Sequence, residues 1–462
     1  MNIEFKIEQA RGLREILRFR RDPLAYVGDV SRRSVDIRHI TLDQRNVFLV
    51  NHPELIRDVL VTHDWNFIKG PGLKASKPVL GDGLLTSEGE LHRRQRRLAQ
   101  PGFNHDRLGQ YAKYMANCAE RTASSWNDGE EYAINEEMMR LTLNIVTRCL
   151  FSTDIGKEAA KVGDALTEVL HLFNALVLPI AQRFTMVRKL VERRAASSRR
   201  RLDAVLQRII HEHRVQPGKF DDMLSMLMGA QDEGSATYMS EALLRDEAMT
   251  LFLAGHETTA NALTWTWYLL AQNPAVEERM AEEIDAELAG RLPKLEDLAR
   301  LRYTAQVFRE SLRLYPPAWI VTRQAVTDYQ LGAVKVPAAA LLFLSPFATH
   351  RDPRFWNAPE VFQPERWNDV SVEARPKFAY FPFGAGTRVC IGEHFAMMEG
   401  VLVLAMIAQR WRLHLAPGQK VELWPQITLR PKYPMRFRVD LRSTTLRKPA
   451  SEQLDLYGCT LK

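Results

Sequence analysis

The sequence predicts a mainly α-helical protein with a smaller β-sheet component, on three observations. Residues 105–230 read as a series of helices. A longer helix is predicted next, capped by Ser240 and ended at Asn273-Pro274. The clearest strand signal is a pair between Ile40 and Leu60, which includes Val47 to Val50. Helices therefore account for most of the expected structure.

Composition and length narrow the class of protein. The chain has 462 residues, 46 % of them hydrophobic, which is enough to bury a large core. The net charge of +7 is modest at this length and does not by itself indicate nucleic-acid binding. Four cysteines without a CxxC pair suggest a reducing compartment. No stretch reaches about 18 consecutive apolar residues, and residues 1–21 lack the apolar core of a signal peptide. We expect a soluble cytoplasmic protein with no transmembrane segment, and with no linker or repeat visible, a single domain over 1–462.

The first elements frame a loop and a basic helix. A helix should start at His52-Pro53, since proline suits the first helical turn. Residues 67–86 read as a loop rich in Gly, Pro and Lys, which could be a mobile lid. A basic helix follows at Leu91 to Arg97, in which His92 and Arg96 share one face because they are four residues apart. A run of charged residues like this one usually forms a solvated helix face.

Five helices are predicted between residues 105 and 230. Their expected bounds are Arg107–Asn127, Asn135–Phe151, Lys157–Ala181, Met186–Arg214 and Asp221–Ala230. The longer helix after them spans roughly 48 Å at about 1.5 Å per residue, enough to cross a whole domain. Its middle, from Ala254 to Thr259, places a glycine, an acid and two threonines in an otherwise apolar run. This polar segment is either a solvated helix face or a functional groove.

Two motifs follow in the C-terminal half. Glu310 and Arg313 are three apart on a predicted helix and can form an ion pair, although this spacing is common by chance. A turn containing Pro364-Glu365-Arg366 comes later. The segment from Phe381 to Gly392 then holds Cys390 between glycines, before a helix predicted over Glu393 to Ala408. Backbone N–H groups and the helix N-terminus would favour a thiolate there. A lone cysteine is more often a buried apolar residue, but the fixed offsets around this one favour a metal ligand.

The pattern Phe383-x-x-Gly386-x-Arg388-x-Cys390-x-Gly392 resembles the haem-binding signature of the cytochrome P450 superfamily. The oxygen-binding groove, the Glu-x-x-Arg motif and the Pro-x-Arg turn of that family occur in the family's order. The resemblance covers roughly residues 40–442 and implies a cytochrome P450 fold, a helical haem-binding domain with small β-sheets. It implies haem b as the cofactor, with the Cys390 thiolate as the ligand of the iron.

The resemblance also assigns roles to single residues. Glu257 and Thr258 would be the catalytic pair, delivering protons to bound oxygen. His92 stands where the family commonly has tryptophan, a departure, and can still donate to a haem propionate. Glu310, Arg313 and Arg366 would form a buried structural charge network. The other cofactor-binding residues implied by the resemblance are Arg96, Ala254, Arg323, Pro382, Phe383 and Arg388.

The function implied is a monooxygenase that activates O2 with two externally supplied electrons and hydroxylates an apolar substrate. A fatty acid, terpenoid or steroid is expected, because the lining expected for the substrate site is apolar and lacks an obvious carboxylate anchor. That lining comprises Leu73, Leu80, Leu253, Ala254, Trp319, Ile320, Val321, Ile427 and Leu429. Two alternatives stay open: a peroxide-driven or O2-independent haem-thiolate enzyme, and a haem-thiolate binding protein without turnover.

The chain ends about seventy residues after the cysteine loop, so an electron-supplying domain is not expected within it. The resemblance implies a ferredoxin or flavodoxin with its NAD(P)H-dependent reductase as partner. In the family such partners dock on the face nearest the cysteine. Arg93, Arg94 and Arg97 should leave their helix on a different side from His92 and Arg96, where an acidic partner could be steered to them. The plain alternative is that they only solvate the helix.

Overall fold

The computed structural model describes residues 4–42, 45–153, 163, 165, 168, 185–230 and 238–442. The helices are α1 Leu13–Arg21, α2 Pro23–Arg32, α3 Pro53–Arg57, α4 Pro71–Ala75, α5 Lys77–Leu80, α6 Gly89–Ala99, α7 His105–Ser124, α8 Ile134–Phe151, α9 Thr185–Val215, α10 Met223–Gly229, α11 Glu241–Gln272, α12 Pro274–Leu288, α13 Arg302–Leu314, α14 Pro346–Thr349, α15 Asp369–Glu373 and α16 Glu393–Ala408. The strands are β1 Ile7–Arg11, β2 Ile37–Leu42, β3 Arg45–Val50, β4 Phe67–Lys69, β5 Glu131–Ala133, β6 Val321–Ala325, β7 Tyr329–Leu331, β8 Val334–Val336, β9 Leu341–Leu344, β10 Trp411–Leu415, β11 Leu423–Pro425, β12 Leu429–Pro431 and β13 Arg436–Leu441.

The strands form small sheets beside the helices, as expected for a mainly α-helical fold. The largest sheet has the order β1-β2-β3-β9-β6-β4, which joins the N-terminal strands to strands far along the chain. Within it, β2 and β3 form the predicted strand pair, which starts at Ile37, ends at Val50 and is antiparallel, with Ile40 opposite Val47. On its other side, β3 pairs in parallel with β9, with Val47 opposite Leu341. The remaining described sheets have two or three strands.

The long helix α11 runs through the helical core and confirms the sequence prediction at both ends. The Ser240 hydroxyl accepts a hydrogen bond from the Leu243 amide at 3.2 Å, which caps the helix. Pro274 opens the next helix, so α11 ends before it. Gly255, which costs about 1 kcal/mol in a helix relative to alanine, has a packing reason. A Cβ there would lie 2.8 Å from Val146 Cγ2, so glycine lets α8 approach α11 closely.

Other helix predictions have different outcomes. The bounds of α16 agree with the expected Glu393–Ala408, and those of α9 are within one residue of the expected Met186–Arg214. The helix expected over 157–181 lies outside the described residues, apart from three isolated positions. The expectation of a loop at 67–86 is wrong in part. That segment holds β4 and two short helices, α4 and α5, each with a proline in its first turn.

A buried charge network ties α13 to the turn at Pro364–Trp367. The Glu310 carboxylate accepts hydrogen bonds from Arg313 Nε at 2.9 Å and Nη2 at 2.8 Å. It also accepts from Arg366 Nε at 2.9 Å and from Trp367 Nε1 at 2.9 Å. The Glu310 and Arg313 side chains are fully buried. The predicted network of Glu310, Arg313 and Arg366 is therefore present, and Trp367 is an additional member.

In the described ranges, no helix combines the length and the apolar character needed to cross a membrane.

Candidate active site

The cysteine loop is closed by its own backbone and locked onto the rest of the fold. The Cys390 amide donates to the Phe383 carbonyl at 2.9 Å, which closes the loop between Phe383 and the start of α16. Gly386 has φ +69° and a Cβ there would lie 1.9 Å from the Leu60 carbonyl oxygen, so only glycine fits. The side chain of Arg96 reaches the loop as well, donating from Nη1 to the Val389 carbonyl at 2.6 Å.

The Cys390 side chain is exposed, whereas Cys118 and Cys149 are buried among apolar groups. Although part of its surface is open, the Cys390 thiol is surrounded by protein, and this desolvation raises its pKa. The Gly392 amide and the Arg96 charge lower the pKa, whereas the Glu393 carboxylate raises it. The Gly392 amide therefore favours the thiolate, as the sequence predicts, but the net effect of all these groups is a raised pKa. Coordination to a metal ion deprotonates a thiol outright, which is the condition under which this sulfur would be a thiolate.

The residues predicted to bind the haem propionates lie close enough together to shift one another's pKa values. Arg323 is 6 % exposed, and among the described residues its guanidinium donates one hydrogen bond, to the neighbouring Thr322 carbonyl. Burial first, and then the nearby Arg388, lower the pKa of Arg323 to about 10. His92 is also buried. Burial, followed by the charges of Lys69 and Arg388, lowers its pKa to about 4, so it is neutral at pH 7 and can donate one N–H.

Two residues of this cluster were not expected from the sequence, Lys69 and Glu88. Lys69 donates from Nζ to the carbonyls of Leu84 at 2.9 Å and Ser87 at 2.7 Å, and burial lowers its pKa to about 7. Glu88 accepts from Arg388 Nη2 at 2.8 Å, so Arg388 already has an acidic partner. Neither residue belongs to a motif. The lysine's position in a short strand otherwise made of Phe67 and Ile68 is the one sequence signal that could have drawn attention to it.

On α11, the two predicted catalytic side chains, Glu257 and Thr258, form hydrogen bonds with different groups. Glu257 is 3 % exposed, and its Oε1 accepts from the Thr428 hydroxyl at 2.6 Å. Arg430 Nη1 lies 3.7 Å from the same oxygen. Burial raises the pKa of Glu257, while Thr428 and Arg430 oppose that rise. The Thr258 hydroxyl instead donates to the Ala254 carbonyl at 2.7 Å.

Glu257 and Thr258 are thus adjacent in the chain but are not hydrogen-bonded to each other. The hairpin β11–β12 supplies the acid's partners, and sequence reasoning missed them. The signal available was the alternation around Thr428, a polar residue between Ile427 and Leu429 that were both expected to face substrate.

The helix borders open volume at the turn that carries Ala254. Ala254 is exposed, although Leu253 and His256 beside it are 7 % and 2 % exposed. Part of the expected substrate lining is wrong. Trp319 and Leu429 pack in an apolar core cluster, where they are 5 % and 0 % exposed, and the Trp319 indole donates to the Gln426 carbonyl.

The arginines of α6 do not all behave as expected. Arg93 and Arg97 are exposed, but Arg94 is half-buried. Arg93 and Arg97 also border the same cavity as His92 and Arg96, rather than lying on a separate side. This cavity has a volume of about 1090 Å³ and reaches Thr387 of the cysteine loop. Its position places two exposed cations next to that loop.

Comparisons with known proteins agree with this geometry. The family model for Cytochrome P450 matches residues 15–437. Cyclooctatin synthase from Streptomyces melanosporofaciens is 38 % identical over 88 % of this chain and 89 % of that protein. Cyclooctat-9-en-7-ol 5-monooxygenase from the same organism is 34 % identical over 86 % of each chain. Pentalenene oxygenase from Streptomyces avermitilis is 34 % identical over 92 % of this chain and 94 % of that protein.

The solved structure of the cytochrome P450DA heme domain superposes with a TM-score of 0.86, over 95 % of this chain and 99 % of that chain, at 23 % identity. That likeness shows the same fold. The near-complete match to the family model and the identity to three P450 enzymes show the family. The chain therefore belongs to the cytochrome P450 family of monooxygenases.

Proposed function

We propose that the protein is an O2-dependent monooxygenase that holds haem b through Cys390 and hydroxylates an apolar terpenoid. The observation that carries the proposal is the side-chain pair on α11, a buried acid with a raised pKa followed by a threonine at a turn that borders open volume. The relatives support the substrate class, since three of them are named for cyclooctatin, cyclooctat-9-en-7-ol and pentalenene.

The residues present fit haem b. Its two propionates need cationic partners if they are to be buried, and this region offers Lys69, Arg96, Arg323 and Arg388. Among the described carboxylates, only that of Glu88 forms an ion pair with one of these four cations, Arg388. Arg323 is the clearest case. No carboxylate of a described residue lies within 4.0 Å of its guanidinium, so a buried cation would gain from an anionic partner. His92 can add a neutral N–H donor.

When bound, haem supplies the site at which O2 binds and is activated. The chain's own task is then to hold and move protons. The raised pKa of Glu257 lets this acid carry a proton closer to neutral pH than an ordinary carboxyl group does. Its contacts with Thr428 and Arg430 keep it away from Thr258. Proton transfer to the Thr258 hydroxyl therefore requires Glu257 to leave Thr428, or a water to bridge the two side chains.

Electrons would come from an acidic ferredoxin or flavodoxin, reduced by its NAD(P)H-dependent reductase. Arg93 and Arg97 provide exposed positive charge beside the cysteine loop, where electrostatic steering would raise the association rate. Arg93 is ion-paired with the exposed Glu90 at 2.7 Å, which an acidic partner would have to displace. The Arg93→Glu/Arg97→Glu variant should slow first-electron transfer and flatten its salt dependence. Arg436→Glu is the matched control, because Arg436 is an exposed arginine on β13. Equal slowing in both variants, or in neither, would place the docking face elsewhere.

The central test compares Thr258→Ala with Thr258→Ser in a reconstituted system. A surrogate ferredoxin and reductase, NADPH, 18O2 and a panel of cyclic terpenes are supplied, and product, peroxide and NADPH are measured. The alanine variant should still oxidise NADPH but divert it to peroxide, because a lost proton-transfer group typically costs about 10²–10⁴-fold. The serine variant keeps the hydroxyl and should recover most of the coupling.

Three outcomes would refute the proposal. Unchanged coupling in Thr258→Ala would remove the assigned role of the threonine. Product lacking the 18O label would point to the peroxide-driven or O2-independent alternative. Absence of substrate-dependent NADPH oxidation with every donor tried would favour a binding protein without turnover.

A further inference from the structure

The short helix α1 (Leu13–Arg21) differs from the other helices of comparable length. Of the described helices with nine or more residues, it alone has no buried residue. Two of its leucines are largely exposed, Leu13 at 61 % and Leu17 at 55 %. They are four residues apart and therefore share one helix face. An apolar face presented to water on an ordered helix needs an explanation.

The helix is held in place by its opposite side. Phe19 contacts the rings of Tyr26 at 5.7 Å and Phe343 at 5.9 Å between centroids. Glu15 accepts from the Tyr26 hydroxyl at 2.8 Å and pairs with Arg18 at 3.1 Å. These contacts fix which face points inward, so the leucine face is turned outward by the fold.

Arginines flank the two leucines on both sides. At about 100° per residue, Arg20 lies roughly 20° from Leu13 on one side, and Arg21 lies roughly 40° from Leu17 on the other. Arg14 lies beyond Arg21. No carboxylate of a described residue comes within 4.0 Å of these three guanidinium groups. The outward face thus combines an apolar centre with an uncompensated positive border.

The same surface continues across a neighbouring cleft. Arg20 and Arg21 line one wall of this cleft, which has a volume of about 770 Å³, and Trp424 and Lys432 line the opposite wall. Next to Lys432, Tyr433 is 42 % exposed. Tryptophan and tyrosine are the residues that favour the boundary between water and lipid. The acidic side chains of the cleft already have partners within the protein. Asp22 caps α2, Glu360 forms an ion pair with Arg351, and Glu422 forms one with Lys432.

We propose that α1 and the adjoining cleft rim bind the surface of an anionic lipid bilayer. Leu13 and Leu17 would enter the acyl region, while the flanking arginines extend to the lipid phosphates, as in other interfacial helices. A lipid surface is favoured over an acidic protein or a nucleic acid, because neither of those requires exposed leucines in the middle of the cationic face. The lipid contact is independent of the oxidation chemistry proposed above.

The test is vesicle co-sedimentation of the haem-loaded protein. Vesicles of phosphatidylcholine mixed with phosphatidylglycerol are compared with vesicles of phosphatidylcholine alone, at low and physiological salt. Wild type should bind the anionic vesicles, and less at higher salt. Leu13→Ser/Leu17→Ser should bind about tenfold more weakly or worse, since two apolar side chains no longer enter the lipid. Arg20→Gln/Arg21→Gln should bind about 25-fold more weakly, from roughly fivefold per arginine.

The matched control is Val370→Ser/Val372→Ser, which alters two valines that are 79 % and 40 % exposed elsewhere and should bind as wild type does. The unchanged haem spectrum of each variant shows that it is folded. Wild-type binding by the leucine variant, together with loss in the arginine variant, would mean a general polyanion surface and overturn the proposal. So would failure of wild type to bind anionic vesicles, or equal binding to both vesicle types.

Discussion

Replacing Glu310 with glutamine tests the charge network that joins α13 to the Pro364–Trp367 turn. The carboxylate accepts five hydrogen bonds: two from Arg313, and one each from Arg366, Trp367 and the Gln363 amide. Glutamine has nearly the same shape, but its NH2 group would face donors on one side, and both buried arginines would lose their counter-charge. Removing one partner of a buried pair costs about 3–5 kcal/mol. We expect Glu310→Gln to lose about 4 kcal/mol of the free energy of unfolding, a large part of the roughly 5–15 kcal/mol typical of proteins.

The assay is urea unfolding of the haem-loaded protein, followed by far-UV circular dichroism and by the haem absorbance. With a slope of about 3 kcal/mol per molar urea, the midpoint should fall by more than about 1 M. Glu365→Gln is the matched control, because Glu365 is 41 % exposed and pairs with Arg279, which is 57 % exposed. Such a pair is worth about 0–1 kcal/mol. A Glu310→Gln midpoint within the control's range would refute the reasoning.

Three further outcomes are expected. Cys390→Ser should lose the thiolate-type band of the ferrous–CO spectrum, and retention of that band would show that another group ligates the iron. His213 Nε2 lies 2.7 Å from Asp222 Oδ2. Burial opposes the charge of His213, but the Asp222 carboxylate raises the pKa of this histidine, and the imidazole in turn helps to lower the pKa of Asp222. The pair should therefore stabilise the fold most between the unfolded pKa values of about 3.9 and 6.5. This stabilisation should decrease as pH rises through the folded pKa of His213, and as pH falls through the folded pKa of Asp222. The resulting bell-shaped pH dependence of the unfolding free energy should vanish in His213→Gln. Thr428→Val removes a hydrogen-bond donor to ionised Glu257, so the pKa of this acid should rise further. The alkaline limb of the turnover–pH profile should then move to higher pH. An unmoved limb would exclude Glu257 as the titrating acid.

The sequence predicts those elements well whose ends are set by local chemistry. The Ser240 cap and Pro274 fix both ends of α11. The segment at 67–86 was harder. Its conformation depends on α11, since the Asp82 amide donates to Asp246 at 2.8 Å and the Leu84 amide donates to Glu247 at 3.0 Å. Contacts across more than 160 residues leave no local periodicity to detect.

In the candidate site, too, residues in local motifs could be predicted from the sequence, whereas long-range contacts could not. Its positions with fixed motif spacing, such as Cys390 and Arg388, could be located from the residue pattern. The direction in which Glu257 points could not, because Thr428 and Arg430 reach it from a hairpin about 170 residues later. The direction in which the pKa of the Cys390 thiol is shifted could not be predicted either. Donors to its sulfur are local, but the burial that outweighs them is a property of the whole fold.

The parallel pairing of β3 with β9 has a consequence for biosynthesis. Val50 pairs with Leu344, which is made only after about three quarters of the 462 residues. At about 5–20 residues per second, the ribosome needs roughly 15–60 s to add the intervening residues. Throughout that interval, β2 and β3 can form their hairpin, but the other edge of β3 stays open to pairing with any other strand. Nascent chains should thus depend on chaperones until β9 emerges, and a ribosome that stalls before residue 344 should release an aggregation-prone product rather than a folded fragment.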